Sequence, residues 1–162
     1  MARSMNGSLA ASSLVQPRPF PAIILGGLIV GVLDLAYAIV VYSPRKPSLI
    51  PQFIASGVLG LKSFSGGTKT AALGVILHFV IALGAATSYY LASRKLTFLV
   101  SRAVLCGLIY GALVYLFMHL VVLPLSATPK EPAHFVYQVF EFVWHWIGVG
   151  LPIALCVRHY SL

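Results

Sequence analysis

Acidic side chains are nearly missing from this chain: Asp and Glu total 3 in 162 residues against 11 Lys and Arg, and charged residues of both signs make up only 9%. A water-soluble domain ordinarily carries about 25% charged residues. A chain that is 59% hydrophobic therefore has too little polar surface to enclose its apolar side chains in water, which excludes an ordinary soluble domain and predicts a bilayer protein.

Cysteine is also scarce. Cys106 and Cys156 stand 50 positions apart and neither belongs to a C-x-x-C pair, which excludes a disulfide scaffold and a thioredoxin-type redox motif and leaves both as buried apolar side chains. The chain has no phosphate-binding glycine loop and no G-x-S-x-G elbow, so an enzyme finds no support in its motifs. The net charge of +8 comes from Lys and Arg scattered in pairs over every loop. Without a basic stripe or stacking platform this excludes a nucleic-acid surface, and anionic lipid headgroups are the better counter-charge.

What the chain does have is four long apolar runs, Ala22 to Tyr42, Thr70 to Ala92, Ala103 to Leu123 and Val136 to Val157. Each is near the roughly 20 residues that cross about 30 Å of hydrocarbon. The expected fold is an all-α membrane protein, an up-down four-transmembrane-helix bundle occupying residues 21–158 as one domain, after a disordered tail over 1–20. Arg18 followed by an apolar run and Ala36-Tyr37-Ala38 imitates a signal peptide. The apolar run continues through Ile39, Val40 and Val41, which a retained span explains better.

Between the first two spans, Leu49, Ile50, Phe53, Ile54, Gly57, Val58 and Leu61 recur at spacings of three and four, which predicts a short interfacial or re-entrant helix over 49–61. Gly66-Gly67 then reads as a flexible return. The short connection Ser93 to Arg102 predicts that the second and third spans are antiparallel neighbours, and Pro124 to Phe135 is a proline-stiffened loop. Basic residues are densest in the short middle loop, which favours cytoplasmic termini.

Each apolar run contains a costly group: Asp34, His78, His119, and Glu141 with His145. On the up-down arrangement all five lie roughly 8 to 14 Å inside one membrane face, at a rise of about 1.5 Å per residue. Small residues accompany them on helical stripes: Gly27 and Gly31 before Asp34, Gly74 before His78, Gly107 and Gly111 in the third run, and Gly148 after His145. Such stripes predict close helix packing and turn the polar groups toward protein. His119 is rotated about 80° from Gly111 by the 100° step, which makes it an outer member. Trp144 and Trp146 read as an aromatic belt.

Asp34, His78, Glu141 and His145 thus form a candidate polar site, with His119 at its edge, for a cation, a proton or a small polar ligand. Two carboxylates with two imidazoles suit a divalent transition metal better than calcium, whereas the same groups without metal relay protons. Haem held by His78 and His145 is disfavoured by the lack of a second matched histidine pair and of a C-x-x-C-H attachment. The alternative is a non-catalytic subunit, or homo-oligomer, whose polar groups fix helix order.

The pattern Gly31-Val32-Leu33-Asp34, Ile54-Ala55-Ser56-Gly57-Val58-Leu59-Gly60, Gly66-Gly67 and Leu77-His78-Phe79 resembles a group of small uncharacterised bacterial four-helix integral-membrane proteins. The likeness spans roughly residues 26–125. It implies an inner-membrane location and covers Asp34, His78 and the Ala55 to Gly60 segment; it carries no activity and does not reach Glu141 and His145.

Overall fold

The computed structural model describes residues 18–130 and 134–161. Of the tail expected over 1–20, residues 1–17 lie outside the described residues and Pro19 and Phe20 already belong to the first helix; Glu131, Pro132 and Ala133 of the proline-stiffened loop also lie outside the described residues. Among the described residues every regular element is helical and none is a strand. Four helices are long and apolar enough to cross a membrane: α1 (Pro19–Tyr42), α3 (Gly67–Lys95), α5 (Ala103–Leu125) and α6 (Phe135–Ser161). Two short helices, α2 (Leu49–Leu59) and α4 (Phe98–Ser101), lie between them.

Apolar side chains surround the long helices on all sides. Leu28, Ile29, Ile76, Val80, Ile109, Leu113, Phe140 and Ile147 are all exposed, which suits helices solvated by lipid rather than by water. The interior is small by comparison. Tyr89, Ile153, Val157, Ala86 and Ala103 form its most buried part.

Glycines set how closely the backbones approach. A Cβ on Gly27 would meet Leu83, and one on Gly31 would overlap the Phe79 ring, so α1 lies antiparallel against α3. On the other side, a Cβ on Gly111 would collide with the His145 carbonyl and one on Gly150 with the Gly107 carbonyl, so α5 and α6 cross almost backbone to backbone. Helix α1 also packs along the C-terminal half of α6, and the Arg18 amide donates to the Tyr160 carbonyl at 3.0 Å. The resulting order is α3, α1, α6, α5.

That order corrects one expectation. Helices α3 and α5 are joined by a short connection, yet they do not pack along their lengths. The connection contains its own helical turn, α4, and the gap is bridged by a tyrosine: the Tyr110 hydroxyl donates to the Ala85 carbonyl at 2.7 Å while its ring meets Tyr89 edge-on.

The segment after α1 is more regular than its glycines suggest. Helix α2 gives way at Gly60 to a tight helical turn over Gly60–Ser65, and α3 starts at once at Gly67. Gly60 and Gly67 both take φ of +59°, a conformation that side chains with a Cβ rarely adopt, so Gly67 sharpens the corner into α3. Gln52 fastens it by donating to the Gly67 carbonyl at 3.1 Å, and Thr70 Oγ1 donates to the Ser63 carbonyl at 2.6 Å. The far end of α2 is joined to the loop after α5, whose Ala127 amide donates to the Gly57 carbonyl at 2.9 Å.

Helices α5 and α6 each contain a wider turn, over Met118–Val122 and His145–Gly150. There the Leu123 amide bonds to the Met118 carbonyl and the Leu151 amide to the Trp146 carbonyl, five residues back instead of four. Such π-type turns shift the register of every side chain that follows and recur at functional positions. His119 lies in the first and His145 opens the second.

Candidate functional site

Asp34, Glu141, His119 and His145 converge on α1, α5 and α6, held by aromatic rings. The Trp144 indole Nε1 donates to Asp34 Oδ1 at 3.0 Å, joining α6 to α1. Its ring lies flat on Tyr37, with centroids 4.3 Å apart and planes 4° apart. Tyr37 is one turn beyond Asp34 on the same helical face. Gly148 makes room for this arrangement, since a Cβ there would overlap the Trp144 ring. The role of Gly148 is therefore to seat the indole of its own helix, whereas Gly27, Gly31, Gly107 and Gly111 admit a neighbouring span. Gly74 faces the short helix α2, where a Cβ would collide with the Pro51 carbonyl.

Glu141 reaches toward α5. Its Oε2 lies 3.9 Å from His119 Nε2, and it is within electrostatic range of both Asp34 and His145. His119, expected at the edge, is thus the histidine nearest the Glu141 carboxylate. His119 lies one turn after Tyr115, whose ring stacks on it, and the long Glu141 side chain reaches across from α6 to that edge of α5.

Glu141 and His145 do not pair through their side chains. His145 Nδ1 lies 2.8 Å from the Glu141 backbone carbonyl, so the imidazole folds back on its own helix, and the Glu141 carboxylate has His119 and the Tyr42 hydroxyl as its neighbours. Tyr115 stands between the two histidines: its ring stacks on His119 at 4.0 Å and meets His145 edge-on at 5.3 Å.

All three histidines of the candidate site are oriented by backbone carbonyls. His78 Nε2 lies 2.9 Å from the Gly31 carbonyl of α1, and His119 Nδ1 lies 3.1 Å from the Tyr115 carbonyl. A carbonyl oxygen only accepts, so the ring nitrogen facing it carries the hydrogen, and in the neutral ring the opposite nitrogen keeps its lone pair. For His119 that second nitrogen is Nε2, which points at Glu141. At 3.9 Å the two groups lie within ion-pair range but beyond a direct hydrogen bond.

His78 belongs to a different contact. It ties α3 to α1 one turn before Asp34 and gives its Nε2 to that bond, so this nitrogen is not offered to an opposed His145. Among the described residues no three His, Cys, Asp or Glu side chains gather at metal-holding distances. The set Asp34, His78, Glu141 and His145, read from the sequence as candidate metal donors, does not form a coordination sphere. His145 spends Nδ1 on the carbonyl and His78 stands apart.

Comparison with known protein families, with curated proteins and with solved structures finds no match to this chain.

Proposed function

We propose that this chain is a multi-pass protein of the bacterial inner membrane, with α1, α3, α5 and α6 crossing up and down, both termini cytoplasmic and α2 at the interface or re-entrant. Its working part is an intramembrane site that takes up and releases a proton, formed by Glu141 and His119, with Asp34 and His145 as flanking polar groups. The observation that carries this reading is the 3.9 Å approach of His119 Nε2 to Glu141 Oε2 with Nδ1 already committed to the Tyr115 carbonyl.

Two unpaired ionisable groups inside a membrane are costly. With one proton on board the pair is either two neutral groups or an ion pair, and releasing that proton leaves a carboxylate beside a neutral imidazole. Asp34 is stabilised differently, through the indole N–H. A divalent metal and haem draw no support from this arrangement.

A second reading, a membrane subunit whose polar groups only fix helix order, is favoured by two particular bonds: His78 to Gly31 and Trp144 to Asp34, each joining two spans. Infrared difference spectra of the purified protein, recorded as the pH is lowered, separate the two. The proton-exchange reading expects a carboxyl band that grows on acidification, is absent in Glu141→Gln and is displaced in His119→Gln. A folded Glu141→Gln protein with an unchanged carboxyl titration would leave only the packing role.

A further inference from the structure

We infer that the turn between α1 and α2 is a binding site for the phosphate of an anionic lipid headgroup, held by Arg45 and Lys46. An open hollow of about 300 Å³ lies at this turn, lined by Tyr42, Ser43, Pro44, Arg45 and Lys46. It lies where the apolar helix α1 ends at Tyr42, which is the level of the headgroups for a spanning helix.

The turn is closed by its own hydrogen bonds. Ser43 Oγ donates to the Lys46 carbonyl at 2.9 Å, the Lys46 amide to the Ser43 carbonyl at 3.1 Å, and the Leu49 amide to the Lys46 carbonyl at 3.0 Å. The Ser43 hydroxyl is thereby spent, Pro44 has no N–H, and the Tyr42 hydroxyl donates toward the Tyr137 carbonyl at 3.4 Å. Arg45 and Lys46 are left as the side-chain donors that can turn into the cavity, displayed on a preorganised backbone. The single ion contact among the described residues is the one between His119 and Glu141, so neither cation has an acidic partner there.

The chemistry these donors select is an oxyanion with several acceptor oxygens. A guanidinium offers a planar fork and an ammonium a point charge, the combination that grips phosphate. The partial negative charge at the end of α1 is about half a unit and is outweighed by two whole cations, while α2, starting at Leu49, turns its positive end toward the same loop. A diester in a lipid headgroup meets the site without leaving the membrane, and Tyr42 supplies an aromatic wall at the depth where headgroup and acyl chain join.

The site stands independently of the proton-exchange reading. Native mass spectrometry of the full chain, incubated in detergent with phosphatidylglycerol or with phosphatidylcholine, tests it. The expected result is preferential retention of phosphatidylglycerol, falling about 30-fold in apparent affinity in the Arg45→Ala, Lys46→Ala double variant, at roughly one factor of five per basic residue near the surface. Lys62→Ala with Lys69→Ala removes the same charge from the same loop and should leave retention unchanged. Equal retention of the two lipids, or equal losses in both double variants, overturns the site in favour of diffuse charge attraction. Inorganic phosphate competing as well as the lipid at equal concentration overturns the headgroup as its source.

Discussion

His78, His119 and His145 each give one ring N–H to a backbone carbonyl, and that shared habit decides what each can do with its other nitrogen. Only for His119 does the free nitrogen meet a carboxylate. The sequence made the five costly groups visible, because an ionisable residue in an apolar run is conspicuous whatever the fold. Their pairing was not legible: it depends on which helices are neighbours. Trp144 shows the limit well. Read as part of an interfacial belt, it also bonds Asp34 across 110 positions of sequence, and Tyr37, which carries its ring, had no signal beyond its place one turn after Asp34. The bond makes a prediction. Trp144→Phe keeps the ring stack on Tyr37 but removes the indole donor, and should lower unfolding stability in detergent by about 1 to 2 kcal/mol, the usual range for a polar bond between membrane helices. Asp34→Asn keeps an oxygen to accept the indole N–H and should lose less; equal losses in a denaturant titration would show that the bond contributes nothing.

At the level of elements, the four spans were plain from their apolar runs, and their ends differ from the expected ones by a few residues, as frayed helix ends do. The wide turns of α5 and α6 were invisible because an α-helix and a π-type turn demand no different hydrophobic pattern over five or six residues. Their position beside the α5–α6 crossing is informative. Gly111 lies against the His145 carbonyl, at the first residue of the wide turn in α6, and Gly150, its last residue, lies against Gly107. A side chain at Gly111 must push the helices apart, and with them Tyr115 and His119 from α6. Gly111→Val should therefore destabilise the protein by about 1 to 3 kcal/mol or more, the cost of overpacking a close contact, and should abolish the His119–Glu141 approach. Gly84, in α3, has nothing within 4 Å of where its Cβ would lie. Gly84→Ala should leave the thermal unfolding midpoint unchanged or slightly raised, so parallel melting curves of the two variants separate the crossing from a general intolerance of glycine replacement.

For the molecule as a whole, the sequence implied antiparallel packing of the second and third spans, whereas α6 lies between α1 and α5 and α3 flanks α1 on the far side. The short connection limited the distance between helix ends but not the partners of their faces, which were chosen by Gly27 and Gly31 on one side and Gly107, Gly111 and Gly150 on the other. The same packing brings the start of α1 to the end of α6 through Arg18 and Tyr160, and sets α4 against the C-terminal half of α6. One end of the bundle thus holds both termini of the helical region and the α3–α5 connection. The other holds the turn at Arg45 and Lys46 and the corner at Gly66. The proposed orientation puts the first end, with its dense basic residues Arg94, Lys95 and Arg102, on the cytoplasmic side. In a background with Cys106 and Cys156 replaced by Ala, Thr97→Cys and Ser65→Cys place single thiols at exposed positions on the two ends. A membrane-impermeant maleimide applied to intact cells should label Ser65→Cys at once and Thr97→Cys only after the membrane is opened. The reverse pattern would invert the orientation and place Glu141 and His119 nearer the cytoplasmic face; labelling of both thiols in intact cells would mean that the chain does not span the membrane in a single orientation.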